Sequence, residues 1–339
     1  MPLLLLVLAL VCAACAEPLP ARHPVERSRL AMGSQLRVLV WTTSDATAGA
    51  AIDQVFREFD RLESLLSVWK PGSDVLRIND AAGREPVAVS RDTIAVLEAA
   101  AQASDWTGGK FDITFGALAD IWKFDHDQDN TVPDRRAIAA RLPFVDYRLV
   151  LVDRAAGTAF VRQAGTRIHL GGIGKGYAVD RAAAILRERG FTDFLIQSGG
   201  DLYVAGRNGP TAWTLGIADP RGPAGRTFAT VDLGDGTLST SGDYERFFIK
   251  DGVRYHHLID PDRGTPATGA RSVTIVTDSA MLADVLSTGV FLLGPAEGMA
   301  LVEQLPRVEA VIVTESNQVL VSSGLEGRVT LTAPPTNAP

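Results

Sequence analysis

Cysteine is almost absent from this chain of 339 residues, which has only Cys12 and Cys15. Because both lie in the apolar leader, the rest of the chain can form no internal disulfide and has no thiol nucleophile. An exported protein can fold without disulfides when its hydrophobic core is large. The remaining residues, about 300 of them, are enough for one large domain or two fused domains.

The chain also lacks an excess of positive charge. It has 33 Lys and Arg against 40 Asp and Glu, which gives a net charge of -7 and a pI near 5.3. Nucleic acid is therefore not an expected partner, since it would favour a basic surface. The composition, with 46% hydrophobic and 22% charged residues, is that of an ordinary globular protein.

No run of about 20 apolar residues, the length of a membrane-spanning helix, is found at the start of the chain. The shorter apolar run there is typical of a secretory signal, and the small residues before Cys15 resemble a lipoprotein processing site. We therefore predict a signal with lipidation at Cys15 (residues 1–15), a tether (16–28), a folded domain (29–325) of one or two subdomains, and a flexible tail (326–339). The predicted protein is exported and held at the inner membrane, facing the periplasm. A cleaved signal without lipid would leave a soluble periplasmic protein.

Apolar periodicity predicts a mixture of helices and short strands. Helices are predicted over 47–66, 92–106, 176–190, 281–291 and 295–304. Strands are predicted over 36–42, 148–153, 158–162, 166–170, 194–197, 202–205, 213–218, 227–233, 273–276, 308–314 and 319–322. Because several strands are separated only by tight turns, we expect an α+β fold with mixed, largely antiparallel sheets and packed helices.

Asp284 and Thr288 are four residues apart in a predicted helix, so their side chains lie on one face. A carboxylate and a hydroxyl are ligands suited to Mg²⁺, which keeps substrate phosphates and waters as its other ligands. The same spacing is also found where an Asp caps a helix and a buried Thr bonds a backbone carbonyl. Spacing alone favours this second interpretation.

A glycine-rich turn, Gly171-Gly172-Ile173-Gly174-Lys175-Gly176, separates a predicted strand from a predicted helix. Glycines at a helix N-terminus let backbone N–H groups approach a phosphate. The motif is neither a P-loop nor a dinucleotide-binding fingerprint, and an ordinary strand–helix turn is the alternative.

His256 and His257 are adjacent in a predicted extended segment, so at most one of them faces a given site. Histidine has a pKa suited to general base catalysis near neutrality, although a purely structural pair is the alternative. Ser241 lies in Thr240-Ser241-Gly242-Asp243-Tyr244, which is not an acyl-transfer motif. We interpret this segment as a tight turn.

Six motifs in this order resemble the ApbE-like FAD:protein FMN transferases, over about residues 30 to 325. They are Thr107-Gly-Gly-Lys-Phe-Asp-Ile-Thr114, Gly171-Gly-Ile-Gly-Lys-Gly-Tyr177, Gly199-Gly-Asp201, Thr240-Ser-Gly-Asp-Tyr-Glu245, His256-His-Leu-Ile-Asp-Pro261 and Ala283-Asp-Val-Leu-Ser-Thr288. The resemblance implies an ApbE-like, T-fold-related architecture and a flavin-transferring enzyme.

The resemblance also implies roles for individual residues. Asp284, Thr288 and the Gly174 backbone carbonyl would bind Mg²⁺, with Gly174 standing where the family commonly has Ala. Lys175 would bind the pyrophosphate of FAD as a point charge, and His257 would assist deprotonation of the acceptor hydroxyl.

Further positions match family segments that contact FAD. Met32 lies in a Met-Gly-Ser segment that resembles Met-Gly-Thr, and Trp69 stands where the family usually has Tyr, with plain core packing as its alternative. The remaining FAD-contact candidates are Lys110, Phe111, Asp112, Asp180, Ser241, Gly242 and Ile259. We expect Asp260 to order the turn before Pro261 and residues 125–130 to form a solvated surface loop.

The implied reaction is Mg²⁺-dependent transfer of FMN from FAD to a Thr or Ser hydroxyl, with release of AMP. The implied partners are exported or membrane-bound client flavoproteins. Two alternatives share these motifs. One is a metal-dependent FAD pyrophosphatase, and the other is a non-catalytic lipoprotein that stores flavin.

Overall fold

A computed structural model describes residues 21–338, so the predicted lipidation site at Cys15 lies outside the described residues. The helices are α1 (Asp45–Leu66), α2 (Asp74–Ala81), α3 (Arg91–Trp106), α4 (Gly116–Ala119), α5 (Arg135–Arg141), α6 (Gly174–Glu188), α7 (Ala280–Leu293) and α8 (Pro295–Val302). Strands β1 to β9 are His23–Ala31, Ser34–Thr42, Val87–Ala88, Val150–Asp153, Thr158–Val161, Phe194–Ser198, Asp201–Ala205, Trp213–Ala218 and Thr227–Leu233. Strands β10 to β18 are Gly236–Gly242, Phe247–Lys250, Val253–His256, Ile259–Asp260, Thr265–Pro266, Ala270–Thr277, Glu309–Thr314, Val319–Val321 and Val329–Leu331.

The centre of the fold is an eight-stranded sheet in the order β1-β2-β6-β7-β10-β15-β16-β17. Every neighbouring pair in it is antiparallel. Smaller antiparallel sheets join β18, β9 and β8, and β3, β5 and β4. The expected α+β fold with largely antiparallel sheets is confirmed.

The central sheet is covered on both faces. Val38 and Val40 of β2 point into a core with the helices, where Phe59 of α1 and Leu286 of α7 are fully buried. Leu39, between the two valines, points to the other face, where the sheet β18-β9-β8 packs. Alternate residues of one strand thus enter two cores, as a strand's two-residue period requires.

A third, smaller cluster packs aromatic side chains beside the sheet. Trp122 stacks on Phe124 with ring centroids 5.7 Å apart, and Phe124 stacks on Phe248 at 5.6 Å. Phe248 belongs to the hairpin of β11 and β12, which the sequence analysis did not predict. Within residues 21–338, no helix combines the length and apolar character needed to cross a bilayer.

Both ends of the described chain differ from the predicted tether and tail. Strand β1 begins at His23, inside the segment predicted as a tether, and pairs with β2 from His23↔Thr42 to Ala31↔Ser34. As an edge strand it is held through its backbone and needs few apolar side chains, so hydrophobic periodicity did not reveal it. In the predicted tail, β18 pairs with β9, and the Thr336 hydroxyl donates to Asp219 at 2.7 Å.

Two local predictions need correction. Residues 166–170 form no strand, since Arg167 makes only an isolated parallel bridge with Phe115 and the side-chain amide of Asn79 binds both polar backbone groups of Ile168. Its Oδ1 accepts from the Ile168 N–H at 2.7 Å and its Nδ2 donates to the Ile168 carbonyl at 3.0 Å. The tight turn predicted over 240–244 is present only at Asp243 and Tyr244, whereas residues 240–242 form the end of strand β10, which lies between β7 and β15.

Candidate functional site

One end of the central sheet opens into a cavity of about 870 Å³, within the size range of ligand sites. The turns β1–β2 and β6–β7, the end of β10 and one face of α7 meet there. The wall consists of residues 32–34, 63, 66–70, 110–113, 115, 118, 119, 122, 124–126, 169–172, 174, 175, 199–201, 240–242, 245, 246, 257–259, 261, 284, 288 and 292. Of the residues predicted to act in catalysis or to bind FAD or metal, all except Asp180 line this cavity.

Met32 reaches the cavity from a strained turn. Met32 (φ 49°) and Gly33 (φ 73°) both have positive φ in the two-residue loop between β1 and β2. Consecutive positive φ values are typical of a type I′ hairpin, whose twist matches the flanking strands. A non-glycine residue in this region costs free energy, and such positions cluster at ligand sites.

The glycine-rich turn places α6 directly against α7. The Gly176 N–H donates to Asp284 Oδ2 at 2.9 Å. A Cβ atom on Gly176 would lie 2.7 Å from the Cβ of Asp284 and would also clash with the Ala280 carbonyl. Close helix contact therefore requires glycine at 176 and holds Asp284 at the start of α6.

Lys175 lines the cavity and is paired there with a buried carboxylate. Its Nζ lies 2.5 Å from Asp201 Oδ2, and the Asp201 side chain is 2% exposed. The other oxygen of Asp201 accepts from the Ser239 hydroxyl at 2.5 Å. Burial would lower the pKa of Lys175, but Asp201 and Asp284 raise it above its usual value, so Lys175 is a fixed cation.

Asp284 is a buried carboxylate with too little positive charge around it. Burial and the nearby Asp201 charge raise the pKa of Asp284 to about 7, although Lys175 opposes the shift. On the same helix face, the Thr288 hydroxyl lies 3.1 Å from Ser241 Oγ, which also contacts Ser287 Oγ at 2.8 Å. Because the Asp201 charge disfavours ionisation of Asp284, a cation bound beside the two carboxylates would stabilise the ionised form of Asp284.

The oxygens at this point fit Mg²⁺. Asp284 supplies a carboxylate, Thr288 a hydroxyl and Gly174 a backbone carbonyl, all hard ligands of the kind Mg²⁺ prefers. Residues 21–338 contain no group of three or more His, Cys, Asp or Glu residues able to hold a metal. A site with few protein ligands suits an ion that keeps waters and phosphate oxygens.

The two adjacent histidines do face opposite ways. His257 lines the cavity, and its Nδ1 lies 3.3 Å from the Arg246 carbonyl. His256 is buried in the core, where Nε2 contacts the Ala267 carbonyl at 3.0 Å. Burial and the Arg246 charge hold the pKa of His257 well below its ordinary value, so its imidazole is neutral at pH 7.

Lys110 and the Phe111–Thr114 segment that follows it are held in the cavity wall by ion pairs and hydrogen bonds. Lys110 Nζ lies 2.9 Å from Asp260 and 2.7 Å from Asp262. Asp112 accepts hydrogen bonds from the Thr114 N–H and hydroxyl at 2.7 and 2.6 Å, and from the Tyr147 N–H at 2.8 Å. Burial raises the pKa of Asp112 to about 6.

The expected turn before Pro261 is also present. Asp260 Oδ1 accepts from the Asp262 N–H at 3.0 Å, and the Asp260 carbonyl accepts from the Gly264 N–H at 2.7 Å. Asp260 therefore orders this turn and also binds Lys110.

Asp180 does not line the cavity, so its prediction as a FAD contact is not supported. Its carboxylate accepts hydrogen bonds from the Ser279 hydroxyl (2.8 Å), the Ala280 N–H (2.7 Å) and the Met281 N–H (3.0 Å). Asp180 thereby satisfies free N–H groups at the N-terminus of α7, the helix that carries Asp284 and Thr288.

Trp69 is not a core residue. Its side chain is 51% exposed and contacts His126 edge-on, with ring centroids 4.4 Å apart. The loop that carries His126 was predicted to be solvated. Residues 126–130 of that loop are exposed as predicted, whereas its first residue, Asp125, is half-buried in the cavity wall and pairs with Arg246 at 2.5 Å.

Sequence reasoning assigned no role to several further polar residues of the wall, among them His169, Glu245 and Arg246. Burial raises the pKa of Glu245. Two signals were available, since Glu245 is the last residue of the Thr240–Glu245 motif and His169 lies two residues before the glycine-rich turn.

Known proteins similar to this chain share both its sequence and its fold. A FAD:protein FMN transferase of Klebsiella pneumoniae (strain 342) is 33% identical over 297 residues, covering 87% of this chain and 91% of the relative. Another, of Treponema pallidum (strain Nichols), is 34% identical over 319 residues, covering 89% and 88%.

Solved structures agree with these sequence matches. The ApbE protein of Thermotoga maritima superposes with a TM-score of 0.83 at 33% identity, covering 90% of this chain and 99% of that one. The flavin transferase ApbE of Vibrio cholerae gives a TM-score of 0.82 at 26% identity, covering 91% and 99%.

These findings confirm the predicted architecture and the prediction that the chain is a flavin-transferring enzyme. The family's sequence pattern, described as "ApbE family", matches residues 32–312. This chain therefore belongs to the ApbE family.

Proposed function

We propose that this protein transfers FMN from FAD to a Thr or Ser hydroxyl of a client flavoprotein in a Mg²⁺-dependent reaction that releases AMP. The observation that carries the proposal is that Asp284, Thr288, Lys175 and His257 all line the same cavity. It combines hard oxygen ligands, a fixed cation and a neutral imidazole, which together suit an attack on a pyrophosphate.

Asp284, Thr288 and the Gly174 carbonyl would hold the metal, and Lys175 would lie beside the pyrophosphate. When bound, Mg²⁺ neutralises the charge that develops on the phosphate oxygens during transfer. Asp201 accepts a short hydrogen bond from the Lys175 ammonium and another from the Ser239 hydroxyl, which holds the Asp201 carboxylate in place. Because Lys175 is already ordered, its positive charge costs no rearrangement during the reaction.

His257 would take the proton of the acceptor hydroxyl. Its Nδ1 lies near the Arg246 carbonyl, which leaves Nε2 as the nitrogen available to accept a proton. The hydroxyl oxygen then forms a bond to the FMN-side phosphorus. The phosphorus–oxygen bond to AMP breaks, AMP leaves with the bonding electrons, and FMN stays on the client as a phosphoester.

Residues 2–14 and Cys15 support a proposed location. We propose a lipid anchor at Cys15 in the inner membrane, which would hold the enzyme close to exported or membrane-bound clients. Labelled palmitate should enter the full-length protein in bacteria, and the Cys15→Ser variant should remain unlabelled. An unlabelled unaltered protein would indicate the soluble periplasmic form.

The reaction is tested by incubating the leader-deleted protein with FAD, Mg²⁺ and an FMN-binding client domain, followed by intact-mass spectrometry of the client. We expect the client to gain one FMN, to depend on Mg²⁺ and to lose the gain when its acceptor Thr is replaced. Free FMN and AMP without client labelling would support the pyrophosphatase instead. Tight FAD binding with no product in the presence of several clients would support storage.

A further inference from the structure

His169 lies in the cavity wall and has no role in the reaction proposed above. It precedes the glycine-rich turn that carries Gly174 and Lys175. Its ring packs at a tilt of 51° on Phe115, with centroids 5.3 Å apart.

Hydrogen bonds from two other segments hold the backbone around His169 in place. The His169 N–H donates to the Ile113 carbonyl at 2.8 Å, and the amide of Asn79 holds both polar backbone groups of Ile168. His169 therefore projects from a fixed segment, which is the condition for precise placement of a binding group.

The imidazole is fixed in one tautomer. The Gly171 N–H points at His169 Nδ1 from 3.0 Å. Because a backbone N–H can only donate, Nδ1 must accept, and a neutral ring then carries its proton on Nε2. Burial holds the pKa of His169 at about 4, so the ring is neutral at physiological pH.

The glycine at 171 makes this contact possible. A Cβ atom there would lie 2.8 Å from Cε1 and 3.0 Å from Nδ1 of His169. The His169 ring therefore packs directly against the backbone of Gly171, and Nδ1 is occupied by the hydrogen bond from the Gly171 N–H.

Nε2, in contrast, is available to a ligand. None of the hydrogen bonds between residues 21–338 uses His169 Nε2. Among these residues, His256 Nδ1 is a fully buried side-chain atom without a hydrogen-bond partner, whereas His169 Nε2 is not in that group. Leu118, Trp122 and Phe124 add apolar surface to the same cavity. A planar heterocycle fits such a wall, and one N–H donor there can fix its orientation.

We propose that His169 is a substrate-binding residue whose Nε2–H donates a hydrogen bond to an acceptor atom on a heterocyclic ring of FAD. This inference rests on the proposed function, since it takes FAD as the substrate. Both rings of FAD, isoalloxazine and adenine, carry suitable acceptors.

The test measures dissociation constants for FAD, FMN and AMP by calorimetry in the presence of Mg²⁺, using two complementary variants. His169→Asn keeps an oxygen near the Nδ1 position to accept from Gly171 but has no group at the Nε2 position. His169→Gln places an amide N–H near the Nε2 position. We expect the Asn variant to bind FAD about tenfold more weakly, the range of one lost hydrogen bond, and the Gln variant to recover most of that loss.

FMN and AMP identify the ring. Weaker binding of FMN alone assigns the contact to isoalloxazine, and weaker binding of AMP alone assigns it to adenine. If His169→Asn binds FAD, FMN and AMP like the unaltered chain, the inference is overturned and His169 only supports the turn.

The outcome is separable from that of the transfer assay. If FAD binding depends on His169 but no client is labelled, the transferase proposal fails and this inference stands. If clients are labelled and His169→Asn leaves both the KM for FAD and the FAD affinity unchanged, the inference fails and the transferase proposal stands.

Discussion

The Asp284 carboxylate accepts a hydrogen bond from the Gly176 N–H at 2.9 Å, joining the middle of α7 to the first turn of α6. The helix N-terminus that faces the substrate cavity is therefore also a partner of the carboxylate proposed to bind the metal. Two glycines in this turn, Gly174 and Gly176, differ sharply in the space around them.

Gly176→Ala should destabilise the protein, and Gly174→Ala should not. A Cβ on Gly176 overlaps the Ala280 carbonyl and lies 2.7 Å from Asp284 Cβ, whereas a Cβ on Gly174 would be 3.7 Å from Met32 Cε. Overpacking costs about 1–3 kcal/mol, so urea unfolding should show a loss of this size for Gly176→Ala alone. Equal stability of the two variants would contradict the close helix contact.

Asp284→Asn should remove Mg²⁺-dependent FMN transfer while the protein stays folded. The amide can still accept from Gly176 but carries no charge for the metal, and we expect the transfer rate to fall at least about 100-fold. The matched control is Asp278→Asn, an exposed residue just before the same helix, which pairs with Arg307 at 3.3 Å. Its transfer rate should equal that of the unaltered chain. Full activity of Asp284→Asn would exclude the proposed metal site.

His257→Gln should lower the transfer rate by about 10²–10⁴, the usual contribution of a general base, with FAD affinity within a few-fold of normal. Because the pKa of His257 lies well below 6.5, loss of the neutral base should not reduce the rate until the pH is below 6.5. His23→Gln alters an exposed histidine that pairs with Asp45 and does not line the cavity, so it should retain the rate of the unaltered chain. A His257→Gln enzyme as fast as the unaltered one would assign the base to another group.

Asp180→Ala should reduce stability without reducing FAD affinity. The carboxylate stabilises the start of α7 through three hydrogen bonds, and loss of a helix cap typically costs about 0.5–2 kcal/mol. Thermal unfolding and FAD titration of the folded variant measure the two properties separately. Weaker FAD binding at unchanged stability would instead place Asp180 in the binding site.

Acid should destabilise the unaltered chain relative to His169→Asn. The pKa of His169 is about 4 in the folded protein and about 6.5 in the unfolded chain. The unfolded state therefore binds an extra proton between these values. The unaltered chain should lose about 1.4 kcal/mol per pH unit relative to the variant as the pH falls from 6.5 to 4. Comparing the two proteins by urea unfolding cancels the contributions of other groups, such as Asp284. A difference that does not change with pH would show that His169 titrates normally.

Several elements were predictable because their signals are local. The apolar spacing of α1, α3, α6 and α7, and strands such as 213–218 and 227–233, follow from periodicity within one segment. Asp284 and Thr288 also share a helix face by spacing alone. The resemblance to the family then identified most of the residues that the fold brings to the cavity.

Other features depended on partners distant in sequence. The edge strand β1 is defined by its pairing with β2, the 166–170 segment by Asn79, and Asp180 by the start of a helix about 100 residues away. His169 and Arg246 belong to no sequence motif that indicates a function, and only their position in the cavity wall identifies them as candidate site residues.

By itself, the sequence determined which segments could be helices or strands and which side chains have the chemistry suited to metal binding or proton transfer. The tertiary structure decided which of them share a site, which histidine of the pair faces it, and which carboxylate is buried without a matching charge. The reason is physical, because periodicity and side-chain chemistry are local, whereas burial, pKa and hydrogen-bond partners depend on groups that only folding brings together.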